Sequence, residues 1–389
     1  MLEMMHYLSE LVNAQLEHKK LGNIPDGIQV KELIEIAHKN HMEHLILGAL
    51  LKSDLPDEIK SSIKPLVIHS TMKSMAQICC LKELEETFEN EGIYHQVLKG
   101  SVLKNIYPSP EMREMSDIDV MIYDVNLTRA KKVVENMGFS LIESVKHHDI
   151  YMKQPFLIIE LHHALFDKDV DHILYEYFNN EKHLIAHDGR KYALHFGIEE
   201  FYIYLIAHMA KHFFETGCGI RNVVDVYYYR QIYEATWDES IIATELEKCG
   251  LTAFDNRMHT LAQVWLGGKK PDYFSMMLFN YMVDCGIYGK GEYGLWGKFV
   301  MLNKSNNIHY QSYAKWWYYF PPTSYMKRDY AWLKKYPYLL IVAWVMRAVH
   351  GLLSKEGREK RKMLININSE DVRTLNQIYK GMELHFNKE

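Results

Sequence analysis

Apolar residues recur at helical spacing over most of the first 90 positions. In VKELIEIAHKNHMEHLILGALL (30–51) and MAQICCLKELEETFENEG (75–92) they fall at i, i+3 and i+4, which predicts amphipathic helices. Gly92 is expected to end the second. The texture then changes. IYHQVLKG (93–100) reads as a short strand ending in glycine, SVLKNIY (101–107) as a short helix, PSPEMREMS (108–116) as a loop and DIDVMIYD (117–124) as a strand. NLTRAKKVVENMGF (126–139) reads as a helix with Asn126 as N-cap and Gly138 as its stop. HDIYMKQ (148–154) and PFLIIELHHAL (155–165) read as two strands of a hairpin across Gln154-Pro155. From about residue 195 the pattern is helical again, in EEFYIYLIAHMAKHFFE (199–215) and GIRNVVDVYYYRQIYEA (219–235), with loops at GGKKPD (267–272) and GIYGKGEYGLWG (286–297). The expected class is α+β: a small mixed β-sheet core over 91–190, between an N-terminal helical region (1–90) and a C-terminal helical region (191–389).

Composition narrows the picture only a little. The 389 residues are 48% hydrophobic and 24% charged, the balance of a globular chain with material for real cores. A net charge of −5 offers no basic field, so DNA is not an expected partner. Five cysteines (79, 80, 218, 249, 285) form no CxxC pair and suit a reducing cytoplasm. The opening MLEMMHYLSELVNAQL carries acids and His within its apolar part and reads as a mature helix. The longest apolar run, PYLLIVAWVM (337–346), is shorter than the roughly 20 residues a membrane span needs. A buried helix is the plainer expectation. Because KEGREKRK (355–362) follows, residues 336–362 are also a candidate for weak membrane-surface contact.

The chemistry gathers near the middle of the chain. Strand alternation puts Asp117 and Asp119 on one face, with Ile118 and Val120 on the other. Two neighbouring carboxylates repel unless a cation lies between them, and such hard oxygens suit Mg²⁺; a solvated strand end is the alternative. LKGS (98–101) puts Gly100 and Ser101 at a strand-to-helix turn, where backbone N–H groups could meet phosphate and Lys99 could add charge. In LIIELHHAL, Ile158, Glu160 and His162 share a face, and an acid in so apolar a strand is costly to bury without a partner. If that strand neighbours the Asp117–Asp119 strand, Glu160 becomes a third carboxylate. Such a set could hold two ions about 3.5–4 Å apart that clamp an in-line displacement at phosphorus.

KGS…SDIDVMI…IIELH resembles the polymerase-beta-type nucleotidyltransferases, and more closely a bacterial family of uncharacterised nucleotidyltransferases, in which an LLKG strand, a DiDlLv strand, an lElHw strand and an H..KH helix follow in this order. The resemblance implies a nucleotidyltransferase core, a nucleoside triphosphate such as ATP, and Mg²⁺. It implies that Gly100 and Ser101 hold the triphosphate, that Asp117 and Asp119 bind metal, and that Glu160 is the third acid. Arg113 matches the family's arginine four residues before the first acid. Two positions depart from the pattern: the spacer between Ser101 and Asp117 is long, and His163 stands where an aromatic is common.

Other features are weighed against plainer readings. His208 and His212 share a helical face, but Met209 stands where a metalloprotease would need Glu, so with Lys211 they fit either a nucleotide or acceptor cleft or core packing. Arg221 and Asp225, at i, i+4, fit a surface ion pair or a second tier of the site. The histidines of KHHD (146–149) read as solvated. GKGEYG (289–294) follows no strand of a βαβ unit and is discounted as a dinucleotide motif. WWYYFPP (316–322) reads as core aromatics or a base-stacking patch. The expected function is Mg²⁺-dependent transfer of a nucleoside monophosphate to an acceptor hydroxyl with release of pyrophosphate. The acceptor, whether small molecule, glycan intermediate or protein, is not legible. Glu160 is the favoured general base and His162 the reserve. The competing readings are a non-catalytic nucleotide- or partner-binding module and a metal-dependent phosphohydrolase.

Overall fold

The computed structural model describes residues 2–19, 21–123, 126–145, 147–168, 171–179, 184–289, 316, 319–354 and 369–384. Two compact units emerge. One comprises Met1–Lys211, Cys218–Ile287 and Leu384–Glu389; the other comprises His212–Gly217 and Tyr288–Glu383.

The first unit opens with helices α1 (Leu2–Leu16), α2 (Val30–Asn40), α3 (Glu43–Leu51) and α4 (Asp57–Asn90). Gly92 ends α4 as expected. Its φ of +67° is open to glycine without the clash a Cβ would bring, and the Ile93 N–H donates back to the Phe88 carbonyl at 2.9 Å. Next come β1 (His95–Val97), α5 (Lys99–Leu103), β2 (Ile118–Ile122), α6 (Leu127–Asn136), β3 (Ser140–Ser144), β4 (His148–Lys153) and β5 (Leu157–His162). Then follow α7 (His172–Phe178), β6 (Leu184–Ala186), β7 (Ala193–Phe196), α8 (Ile198–Glu215), α9 (Arg221–Tyr233), α10 (Glu239–Lys248), α11 (Thr252–Trp265) and α12 (Tyr273–Cys285).

The seven strands form one mixed sheet in the order β3-β4-β5-β2-β1-β7-β6. β2 runs parallel to β5 and antiparallel to β1; β4 and β5 form the expected hairpin. Three strands escaped the sequence reading. β3 is wholly exposed and alternates no apolar face, while β6 and β7 span only three and four residues at the other edge. Two local expectations need correction. Helix α5 begins at Lys99, two residues earlier than read, because Lys99 itself takes the left-handed turn with φ +48°. Asn126 does occupy the N-cap of α6, but its side chain makes no capping bond.

One face of the central strands is dry. Ile118, Val120 and Ile122 of β2 join Ile159 and Leu161 of β5 and Tyr151 of β4, packed with Leu84 and Phe88 of α4 and Val133 and Val134 of α6. All alternate residues of β2 and β5 are thereby committed to a core, and the intervening residues must face the other way.

The second unit contains α13 (Thr323–Asp329), α14 (Leu340–Leu353) and α15 (Ser369–Met382). A small core of Met326, Leu333 and Ala343 holds α13 to α14. The buried-helix expectation for 337–346 fails here: Ile341 is 67% exposed and Val345 59%. Among the aromatics of 316–322, Trp316, Tyr319 and Phe320 are exposed rather than core. Residues 290–294 of the GKGEYG motif lie outside the described residues. No described helix is long and apolar enough to cross a membrane.

Leu161 is fully buried in β5 between the sheet and α4. Leu161→Ala should lower stability by about 2–5 kcal/mol through lost burial and the cavity left behind, as read from urea unfolding monitored by circular dichroism.

Candidate active site

The face opposite the dry core carries the polar residues. The parallel register sets Asp119 of β2 directly beside Glu160 of β5, and the antiparallel hairpin sets His148 of β4 beside His162 of β5. Asp117 stands one residue before β2, half-buried on the approach to the same row. Register therefore pairs Asp119 with Glu160, while Asp117 lies outside the ladder.

Asp119 is the hub. Its Oδ1 accepts a hydrogen bond from Lys99 Nζ at 2.6 Å and lies 2.8 Å from His162 Nε2. Glu160 Oε2 is 3.3 Å from His162 Nε2 and 3.7 Å from His148 Nε2. Burial works against ionising Asp119, yet the Lys99 ammonium and the His162 bond outweigh it and hold the carboxyl well below the usual carboxylate range. The same pair holds the Lys99 ammonium well above its ordinary value despite burial. Asp117 goes the other way. Burial, then repulsion from Asp119 and Glu160, pushes it up to about 7. Three acids share a space whose compensating charge is delivered chiefly to one of them.

Helix α8 covers this face. Tyr204 is buried and lies within electrostatic reach of Lys99, Asp119, Glu160 and Asp117, and its hydroxyl is held above its ordinary range by burial first. His208 follows one turn on, its ring 5.9 Å from that of Tyr204. Lys211 Nζ lies 3.4 Å from His147 Nε2. His212 is half-buried beside Lys211 in the last turns of α8.

His147 and His148 were read as solvated; the structure corrects this. Both are half-buried, with rings 4.5 Å apart, and the His148 ring is 4.9 Å from that of His162. Burial is the first cause holding His147 down to about 3 and His148 to about 4. The hairpin alone held the clue. His148 is seven residues before Pro155 and His162 seven after it, so pairing about that turn makes them partners. Tyr204 was also missed, although it shares the helical stripe of His208 and Lys211 at i, i+4, i+7.

Arg113, Arg221 and Asp225 were grouped with the nucleotide-binding residues. They lie in a buried network instead of on an exposed helix face. Arg113 Nε donates to Asp225 Oδ1 at 2.6 Å, and the Tyr107 hydroxyl donates to the same oxygen at 2.8 Å. Arg113 and Arg221 both donate to the Glu114 carbonyl, at 2.5 and 2.8 Å. Gln77 Nε2 donates to the Met115 carbonyl at 3.2 Å. Asp225, Arg221 and Gln77 thus pin residues 113–115, the segment that delivers Asp117 to the sheet. Burial, then the neighbouring Arg113, lowers Arg221 to about 10.

Gly100 and Ser101 are buried in α5. A Cβ on Gly100 would come within 3.1 Å of Met115 and 3.3 Å of the Arg113 guanidinium, so glycine there permits the close packing of α5 on the pinned segment. Ser101 Oγ donates to Met115 Sδ at 3.6 Å, and Ser101 lines a cavity of about 700 Å³ with His95, Asn105, Arg190 and Tyr229. None of the three acids lines that cavity.

The donor set fits a divalent cation. Asp119 and Glu160 are paired by register, burial and then the neighbouring acids raise Asp117 to about 7, and one donor atom each of His148, Glu160 and His162 lies within 4.8 Å of the others. A family model described as "Uncharacterised nucleotidyltransferase" matches residues 26–267, well over half of the chain, and the chain belongs to that family. Comparison with curated proteins found no match, and comparison with solved structures found none.

The Asp117 shift gives a signed test. In the unfolded chain this carboxyl loses its proton near 3.8; in the folded protein it does so near 7. The folded state holds the extra proton between those values, so this group's contribution to stability falls as pH rises across that window and is flat above it. Without divalent ions, urea midpoints of wild type minus those of Asp117→Asn should decline over that window. Parallel curves would show that Asp117 is not raised.

Proposed function

We propose that this nucleotidyltransferase-family chain moves a nucleoside monophosphate from a nucleoside triphosphate to an acceptor hydroxyl. The observation that carries the reading is the register Asp119↔Glu160, with Asp117 beside it, on a face opposed by Lys99. Asp117, Asp119 and Glu160 would hold Mg²⁺, which when bound would neutralise the triphosphate and favour attack at the α-phosphorus.

The chain's own residues supply the rest. Lys99, 2.6 Å from Asp119 Oδ1, would offer its ammonium to the triphosphate. The Gly100–Ser101 backbone, which follows the left-handed residue Lys99, is proposed for the phosphate side. Such strain in a non-glycine residue costs about 1–3 kcal/mol and is characteristic of functional sites. Glu160 takes the acceptor's proton as the acceptor oxygen bonds to the α-phosphorus and the bond to the β-phosphate bridge breaks, releasing pyrophosphate. His162, 3.3 Å from Glu160, is placed to share that proton. His208 and Lys211 on α8 are proposed for the nucleotide or acceptor side; His212 belongs to the second unit. Arg113, Arg221 and Asp225 are proposed to act through the segment that positions Asp117.

Titration calorimetry with each of the four ribonucleoside triphosphates and Mg²⁺ should find one that binds, with binding lost in Asp117→Ala/Asp119→Ala. With the acceptor in hand, Glu160→Gln should lower kcat by about 10²–10⁴-fold, the usual weight of a general base, while the triphosphate still binds. Inorganic phosphate in place of pyrophosphate would move the chain to the phosphohydrolase reading. No binding by a folded protein would favour the non-catalytic module.

We also propose that α14 rests on an anionic membrane surface. Ile341, Val345, Val349 and Leu352 form an exposed apolar stripe at helical spacing. The sequence that follows, 355–362, carries Lys355, Arg358, Lys360, Arg361 and Lys362. An apolar stripe beside concentrated positive charge suits acidic headgroups better than a neutral protein surface. Co-sedimentation with vesicles containing phosphatidylserine should exceed that with phosphatidylcholine alone, and Val345→Glu/Val349→Glu should abolish it. Equal sedimentation of the variant, or self-association in place of vesicle binding, would overturn the proposal.

A further inference from the structure

The acids expected from the sequence explain only half of the polar row. Its other half is nitrogen. One donor atom each from His148, Glu160 and His162 lies within 4.8 Å of the others. The printed separations to Glu160 Oε2 are 3.3 Å from His162 Nε2 and 3.7 Å from His148 Nε2. A tetrahedral ion with bonds of about 2.0–2.2 Å holds its donors about 3.3–3.6 Å apart, so these atoms already stand near ligand spacing. Asp119 Oδ1, 2.8 Å from His162 Nε2 and 2.6 Å from Lys99 Nζ, is a hydrogen-bond partner of this set rather than one of its donors.

The site is enclosed: His162 is 4% exposed, and His148 and Glu160 are half-buried. Both imidazoles turn Nε2, a nitrogen able to ligate, toward Glu160. The rings are also fixed by the sheet. His148 and His162 are cross-strand neighbours in the β4–β5 hairpin, so their approach follows from register rather than from a mobile loop.

We propose that His148, Glu160 and His162 form a site for a late first-row transition-metal dication of the Zn²⁺ or Co²⁺ class. Mg²⁺ takes oxygen donors and keeps its waters, and it gains little from imidazole. Two imidazoles with carboxylates instead favour the later transition metals. The row then divides by chemistry. Asp117 and the outer side of Asp119 offer hard oxygens, while the His148 end offers nitrogen. The inference rests on reading this face as a metal site, but it needs no nucleotide.

The test uses Co²⁺ alone on full-length protein stripped with a chelator, followed by calorimetry and by visible d–d absorption. Co²⁺ should bind at one nitrogen-ligated site, and Mg²⁺ in about 100-fold excess should not displace it. His148→Ala should weaken Co²⁺ at least about tenfold with an unchanged circular dichroism spectrum; His148→Gln serves if the alanine variant does not fold. Asp117→Asn should leave Co²⁺ binding within about threefold of wild type. Displacement of Co²⁺ by equimolar Mg²⁺, or wild-type Co²⁺ affinity in both His148 variants, would overturn the proposal. Triphosphate binding in Mg²⁺, measured on the same preparations, separates the outcomes. Triphosphate binding without the Co²⁺ site defeats only this inference, and the Co²⁺ site without triphosphate binding defeats only the transfer reading.

Discussion

Like-charge repulsion among Asp117, Asp119 and Glu160 is the constraint around which the first unit is organised. Left to themselves, three carboxylates at close range would splay apart or bind protons. The sheet forbids the first response. Asp119 and Glu160 occupy paired positions of β2 and β5, whose alternate residues Ile118, Val120, Ile159 and Leu161 are sealed into the opposite face. A one-residue slip would relieve the repulsion only by sending those side chains to the polar face. The hydrophobic core therefore holds the acids together at the cost of their mutual repulsion. The molecule's answer is uneven: Lys99 and His162 stabilise the charge on Asp119, while Asp117 is left holding a proton up to about 7.

A second constraint concerns Asp117, which no strand holds. It follows a segment without regular structure, and its position depends on what fixes residues 113–115. The Arg113–Asp225 pair supplies that anchor across more than 100 residues of sequence, with Tyr107, Arg221 and Gln77 closing the remaining hydrogen bonds. A buried ion pair is seldom a net gain in stability over well-packed apolar residues, but losing one partner is severe. Its use here is geometric. It makes the helical C-terminal part of the unit, through α9, a structural condition for the acid at the sheet.

These two constraints explain which parts were legible in the sequence. Alternation across DIDV and IIELH is a local property with period two, so the shared face of the acids could be read from a few residues. The pairing of β2 with β5 is not local. It joins positions about 40 residues apart, and only the resemblance to a family suggested it. Arg113 and Asp225 were both noticed, yet the i, i+4 spacing of Arg221 and Asp225 drew attention to a helical pair that Asp225 forgoes in favour of Arg113. The edge strands β3 and β6 were missed because strands that bury little carry little pattern, and β7, paired between β1 and β6, because four residues are too few to show an alternation. His147 and His148 were misjudged on residue type alone, when counting outward from Pro155 would have set His148 against His162.

The histidine end of the row changes how the acids should be understood. If the polar face were a set of carboxylates alone, its histidines would be best placed outside it, as solvated ends of the hairpin. They are instead packed ring to ring beside Glu160. Lysine and imidazole meet at Asp119 Oδ1, 2.6 and 2.8 Å away, and the two contacts differ in kind. An ammonium supplies charge and no lone pair, so it can balance a carboxylate or follow a phosphate but cannot ligate a metal. A neutral imidazole supplies a lone pair and no charge, so it can ligate but does little to offset repulsion. The acids are consequently not equivalent: Asp119 leans on Lys99 and His162, Glu160 lies beside His162 and His148, and Asp117 stands outside the strand register. That asymmetry is built by register and by a seven-residue symmetry about one turn, and it gives each acid a different task on a face where composition alone would call them alike.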